Sequence, residues 1–192
     1  MNYATSMRRV RYAVAVSLDG YILGPKGEVD WIVQDPEMDF RAIFAEFDTL
    51  LIGRRTWEFM GGKGSSKGKG VYGLKAYVFS RTLRPSDCRG ATLVGENGAE
   101  LVAKLRQEEG KDIWLFGGGE LFRSLHESGL VDTVEVGIIP HLLGGGVPLV
   151  PVPAKSAKLA LTEHRVYSQT GIVSLKYAVQ PAAKPRKRAA KR

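Results

Sequence analysis

Asp112-Ile113-Trp114-Leu115-Phe116-Gly117-Gly118-Gly119-Glu120-Leu121-Phe122 decides how this chain reads. Its apolar run has the length of a buried strand. Three glycines stop that run, and a helical pattern follows at once. Glycine lets a backbone turn sharply at a strand end and brings main-chain N–H groups close to a neighbour. The first turn of the next helix adds unpartnered N–H groups and a positive dipole end. The combination suits a diphosphate, so a nucleotide cofactor is the first functional hypothesis. The spacing is not the G-x-G-x-x-G dinucleotide fingerprint, and a tight strand-to-helix turn without a ligand fits the same residues.

Around this stretch, strand and helix patterns alternate. Arg9 to Ser17 alternates with Val10, Tyr12, Val14 and Val16 on one side, as a strand does. Asp35-Pro36 reads as a helix start, with Phe40, Ile43, Phe44 and Phe47 at helical spacing behind it. Thr49 to Ile52 is a short strand ending at Gly53, and Arg54 opens a second helix. Gly61 to Gly73, rich in Gly, Lys and Ser, reads as a surface loop. Ala76 to Phe79 and Ala91 to Val94 are strands, a helix lies between Asn97 and Glu109, and Val131 to Ile139 is a further strand. Leu159 to Tyr167 and Ile172 to Val179 form a hairpin around Gln169-Thr170-Gly171. The pattern predicts an α/β domain with a mostly parallel central sheet, helices on both faces and an antiparallel C-terminal hairpin.

Composition sets limits on function. A chain of 192 residues, 44% hydrophobic and with three tryptophans, builds one domain with a real core. Cys88 is the only cysteine, which excludes an internal disulfide and a cysteine-rich metal site. No apolar run spans a bilayer and Met1 to Arg9 lacks a signal-peptide core, so a cytoplasmic location is expected. The net charge of +8 is concentrated in Pro181 to Arg192, where six Lys and Arg stand without an acid. That tail is expected to be disordered, as are residues 1–8, leaving 9–180 as the domain. Nucleic-acid binding through the tail would be electrostatic and non-specific, and the folded part shows no aromatic-basic interleaving to support more.

Several motifs stand in a familiar order. Val16-Ser17-Leu18-Asp19-Gly20-Tyr21-Ile22 closes the first strand, Trp31 follows a loop, and Gly53-Arg54-Arg55-Thr56-Trp57-Glu58 closes the next strand. Phe79-Ser80-Arg81 and the glycine triplet come after. This order resembles dihydrofolate reductase. The S-L-D-G turn and Ile139-Pro140-His141-Leu142-Leu143-Gly144-Gly145-Gly146-Val147-Pro148-Leu149 look more like the C-terminal reductase domain of bacterial riboflavin biosynthesis and its stand-alone relatives. The resemblance covers Arg9 to Val179. It implies a dihydrofolate reductase-like fold, a cytoplasmic homodimer and an NADPH-dependent oxidoreductase. Hydride would pass to a small pterin- or aminopyrimidine-like heterocycle, as in 5-amino-6-(5-phosphoribosylamino)uracil reductase. A fold kept for NADPH binding without turnover is the alternative.

Residue by residue, the resemblance assigns cofactor binding to Ala15, Ile22, Gly53, Arg54, Arg55, Thr56, Ser80, Arg81, Gly117, Gly118, Gly119, Glu120 and Leu121. Arg54 and Arg55 would meet phosphate oxygens, and Arg81 beside Ser80 the adenosine 2′-phosphate, which favours NADPH over NADH. Each arginine alone also fits a solvated surface charge. Ala15 and Ile22 would line the nicotinamide pocket, or pack as ordinary core. Trp31 matches a mobile-loop tryptophan beside the reacting centre, or is core. Glu37 and Asp39 fall near the family's catalytic carboxylate, or are helix-start acids. Asp19 is either a site residue or a turn residue bonding its own backbone. The chain departs from the riboflavin pattern at Phe59-Met60-Gly61-Gly62-Lys63, where an acidic pair followed by proline is expected. Neither H-x-E nor C-x-x-C is present, so no fused zinc deaminase is expected. No metal ligand set is expected.

Overall fold

A computed structural model describes residues 7–61 and 71–181. Strand β1 (Val10–Ser17) leads through β2 (Tyr21–Leu23) to helix α1 (Phe40–Ala45) and β3 (Phe47–Gly53). Helix α2 (Arg54–Phe59), β4 (Lys75–Phe79), β5 (Thr92–Val94) and helix α3 (Gly98–Leu105) follow. Then come β6 (Asp112–Gly117), helix α4 (Gly119–Glu127), β7 (Thr133–Ile139), β8 (Val147–Pro148), β9 (Leu159–Tyr167) and β10 (Ile172–Val179). Eight strands form one sheet in the order β5-β4-β3-β6-β1-β7-β10-β9. The first six run parallel, and β10 pairs antiparallel with both β7 and β9. The expected α/β sheet with its C-terminal hairpin is therefore the observed one.

Alternation along the strands divides the core in two. Val10, Tyr12 and Val16 of β1 face α3 and α4 and join Ile113, Leu115, Leu121, Phe122 and Leu125 in the larger cluster. Tyr12 stacks on Phe122 with ring centroids 4.2 Å apart. On the opposite face, Leu50, Ile52, Trp57, Val78 and Trp114 pack with Phe44 of α1. Trp57 is fully buried, and its indole N–H donates to the Asp87 carbonyl at 2.9 Å. Burial of such a side chain contributes about 1.5–3 kcal/mol. A third, small cluster of Trp31, Ile139, Tyr167 and Ile172 sits on that second face, beyond α1.

Three expectations need correction, and one pairing adds to them. Helix α1 does not start at Asp35-Pro36. Those residues form a turn, with Met38 N–H donating to the Asp35 carbonyl, and the helix begins at Phe40 with Asp39 as its N-cap. The proline shapes the approach, and the carboxylate nearest the helix takes the capping role. Phe47 belongs to β3 rather than to the helix, because its ring packs against Trp114 of β6 at 5.4 Å. Arg8, placed with the flexible N-terminus, is fixed: its N–H donates to the Arg106 carbonyl and its buried guanidinium meets Asp48, Thr49 and Lys111. Finally, β2 and β8 pair as a separate two-stranded sheet that the sequence pattern does not reveal. The tail, most of the Gly61 to Gly73 loop and residues 1–6 lie outside the described residues.

Candidate active site

In an open parallel sheet, ligands bind beyond the C-terminal strand ends where the chain switches direction. Here the switch flanks β6, which lies between β3 and β1. Gly117 ends β6 with φ 139°, a region that favours glycine, and the Gly117–Gly118 peptide is cis. Gly118 is the N-cap of α4. The next strand end, Gly53 of β3, lies against this turn. A Cβ on Gly53 would sit 3.1 Å from the Gly118 nitrogen and 3.4 Å from the Gly117 carbonyl oxygen. Thr56 covers the same turn, with its Oγ1 at 3.4 Å from a Cβ on Gly118. Gly119 is packed from behind: a Cβ there would come within 2.8 Å of Pro151. The first N–H groups of α4, on Gly119 and Glu120, have no intrahelical partner. Four of the expected cofactor positions, Gly53, Thr56, Gly117 and Gly118, are thus brought together, with the helix start beside them.

The charged positions line the same edge. Arg54 is half-buried and pairs with Glu58 across one helical turn at 3.0 Å. Arg55 and Arg81 are exposed. Ser80 is buried, and its hydroxyl accepts the N–H groups of Thr82 and Leu83, so it shapes the turn that presents Arg81. Glu120 points outward to Arg123, and Leu121 is core beneath the helix start. Ala15 is half-buried on β1 beside the Trp31 cluster, and Ile22 packs against the main core.

Trp31 is buried, its indole N–H donates to the Glu28 carbonyl at 2.9 Å, and its ring faces His141 with centroids 6.3 Å apart. Asp39 is occupied with its capping bond to Ala42, and Glu37 with Arg165 at 2.8 Å. A carboxylate that sequence reasoning passed over is the buried one: Asp35 accepts the Thr170 hydroxyl at 2.7 Å and the Glu37 N–H at 2.9 Å. Burial opposes its charge, and these hydrogen bonds outweigh that to hold it below the usual carboxylate range. A single proline-adjacent Asp carries no sequence signal for this. Asp19 receives the Ser17 hydroxyl and the N–H groups of Leu143 and Gly144, which pull its carboxyl down to about 2. It fastens the S-L-D-G turn to the 142–146 loop.

The strand order β5-β4-β3-β6-β1-β7-β10-β9, parallel up to β7 and closed by an antiparallel hairpin, is that of the dihydrofolate reductase-like fold. Within that class, the chain belongs to the RibD C-terminal domain family, whose model matches residues 8–173. It is 37% identical over 179 residues to YyaP of Bacillus subtilis (strain 168), covering 88% of this chain and 94% of that one. Among solved structures it is similar to a candidate riboflavin biosynthesis protein from Shewanella sp. PV-4, with TM-score 0.73 and 25% identity, covering 91% of this chain and all of that one. It shares the fold of Enterococcus faecalis dihydrofolate reductase, which was solved with NADP(H), at TM-score 0.66 and 17% identity over 90% of this chain and 97% of that one. Family and fold together point to a reductase of pyrimidine or pterin type. Among the described residues, no helix is long and apolar enough to cross a membrane.

Proposed function

We propose that the protein is an NADPH-dependent reductase of a small nitrogen heterocycle. One observation carries this reading: the order of the candidate cofactor residues along the sheet edge. In sequence they run Ala15, Gly53 to Thr56, Ser80-Arg81, then Gly117 to Leu121. In space, the sheet order β4-β3-β6-β1 puts Arg81 first, Arg54, Arg55 and the glycine cradle next, and Ala15 last. That is the linear order of adenosine 2′-phosphate, diphosphate and nicotinamide. Three inter-strand spacings, about 14 Å, suit the extended dinucleotide.

The residues fit such a cofactor. Main-chain N–H groups at the start of α4 and the guanidinium of Arg54 would hold the diphosphate. Arg55 and Arg81 are available to further phosphate oxygens, and Arg81 would read the 2′-phosphate. The cofactor supplies a hydride from nicotinamide C4. It would go to the carbon of a C=N bond, whose nitrogen takes a proton from solvent or a nearby acid. The protein's share is alignment and exclusion of water, with the Trp31 cluster closing one side of Ala15. Asp39 and Glu37 remain our proposed acids only if they leave their present partners, Ala42 and Arg165. The test is a fluorescence titration with NADPH and NADH. Tight binding of the first and weak binding of the second is expected, and no binding of either refutes the reading.

A further inference from the structure

Nothing inside the protein asks for a glycine at Gly137. It lies in the middle of β7, outside the positive-φ region. A Cβ built on it meets no atom within 4 Å. An interior glycine weakens a strand, and it often marks the close approach of a ligand. Its register neighbours are Ala15 on β1 and Ser174 on β10, both half-buried. Three small residues in one row leave a bare strip across three strands, about 10 Å wide from two inter-strand spacings.

The strip has walls of distinct chemistry. Toward the C-terminal end of β7 stand Ile139, Ile172 and Tyr167 with Trp31. Beyond β1, Trp114 and Phe116 of β6 meet edge to face at 5.0 Å. One row back, Lys176 lies 3.9 Å from Glu135. Glu135 receives the Arg11 guanidinium on both oxygens at 2.7 Å and the Thr133 hydroxyl. Burial opposes its charge, but these bonds keep its carboxyl below the usual range. At the hairpin end, Arg165 lies over Tyr167 and pairs with Glu37.

We propose that this strip receives the acceptor: a flat two-ring nitrogen heterocycle lies face-on over Gly137, with its polar edge toward Glu135 and Lys176. Gly137 sets the size limit. This rests on the reductase reading above, because Ala15 belongs both to the strip and to the nicotinamide end of the crevice. Aromatic and apolar walls favour a flat π surface. A carboxylate beside an ammonium matches an edge that carries both N–H donors and acceptor atoms, as amino-substituted pyrimidine and pteridine rings do. A single ring covers only part of the strip and leaves Gly137 less crowded.

The experiment compares the full-length wild type with Gly137→Ala and Gly137→Val. Both variants should melt at or above the wild-type temperature, since the added carbons meet open space and relieve a strand glycine. NADPH binding should stay within about twofold. Binding of 2,4-diaminopteridine, followed by tryptophan fluorescence without cofactor, should fall about tenfold in Gly137→Ala and about a hundredfold in Gly137→Val, in line with the cost of small size changes in a binding pocket. The single-ring 2,4-diaminopyrimidine should lose far less. Undiminished pteridine binding by Gly137→Val overturns the proposal, as does a wild type that binds neither probe. A wild type that binds the pteridine in a Gly137-dependent way but not NADPH refutes the cofactor reading alone.

Discussion

Replacing Gly53 by alanine probes the cradle with one carbon. Gly53 has φ −75° and ψ 155°, which alanine adopts freely, so the backbone conformation contributes no penalty. The cost is steric: the new Cβ falls 3.1 Å from the Gly118 nitrogen and 3.4 Å from the Gly117 oxygen, both main chain. Neither neighbour can rotate away, so the turn between β6 and α4 must shift by a few tenths of an ångström. Overpacking of this kind costs about 1–3 kcal/mol. For a chain of this size the melting temperature should drop by about 2–12 °C. The same shift would misdirect the N–H groups proposed to hold the diphosphate. Loss of one charge-assisted hydrogen bond, about 1.5–3 kcal/mol, weakens NADPH binding about 10- to 100-fold. Leu105→Ala is the control. It opens a cavity at the C-terminal end of α3 and costs about 2–5 kcal/mol, yet leaves NADPH affinity unchanged well below its melting temperature. If Gly53→Ala matches the wild type in both melting temperature and NADPH affinity, the glycine contact is not what shapes the cradle.

Other expectations follow from the same geometry. Arg81→Ala should leave the melting point unchanged, because the side chain is exposed, and should reduce the preference for NADPH over NADH by about 10- to 100-fold in paired titrations. The Asp19 carboxyl is held at about 2 in the folded chain against an ordinary 3.8. Its stabilising effect is therefore complete above pH 4 and lost as the pH falls toward 2. Melting curves of Asp19→Asn should depend less on pH across that window than those of the wild type, with a smaller gap between the two at the acid end. Thr170→Val removes the hydroxyl that Asp35 accepts and leaves a buried carboxylate short of a donor. A loss of about 1–3 kcal/mol in urea denaturation is expected.

Much of the fold is legible because its signals are local. The hairpin stands out through alternation on both sides of Gln169-Thr170-Gly171, and β6 through an apolar run cut by three glycines. Signals fade where an element is short or its partner is distant. Strand β8 has two residues, one of them Pro148, and is defined only by pairing with β2. Arg8 reads as part of a flexible N-terminus and Arg11 as a polar alternate of the first strand, but both guanidinium groups are buried in ion pairs with residues 35 to 124 positions away. The cradle could be read from its glycines, since Gly53 lets two strand ends approach and Gly117 takes up a positive φ. The bare strip could not. Ala15, Gly137 and Ser174 are each unremarkable alone, and only the register of β1, β7 and β10 sets them side by side.

If main-chain N–H groups hold the diphosphate as proposed, the way such a protein can diverge is constrained. A side-chain replacement at Gly53, Gly117 or Gly118 adds bulk but removes no donor, so the cradle can be blocked but not retuned. On the proposed reading, choice between phosphorylated and unphosphorylated reductants would be left to the arginines at the ends of β3 and β4. Choice of acceptor would fall to the proposed strip over Gly137. Two preferences governed by separate residues can drift independently, so one lineage can change what it reduces while keeping the same electron source.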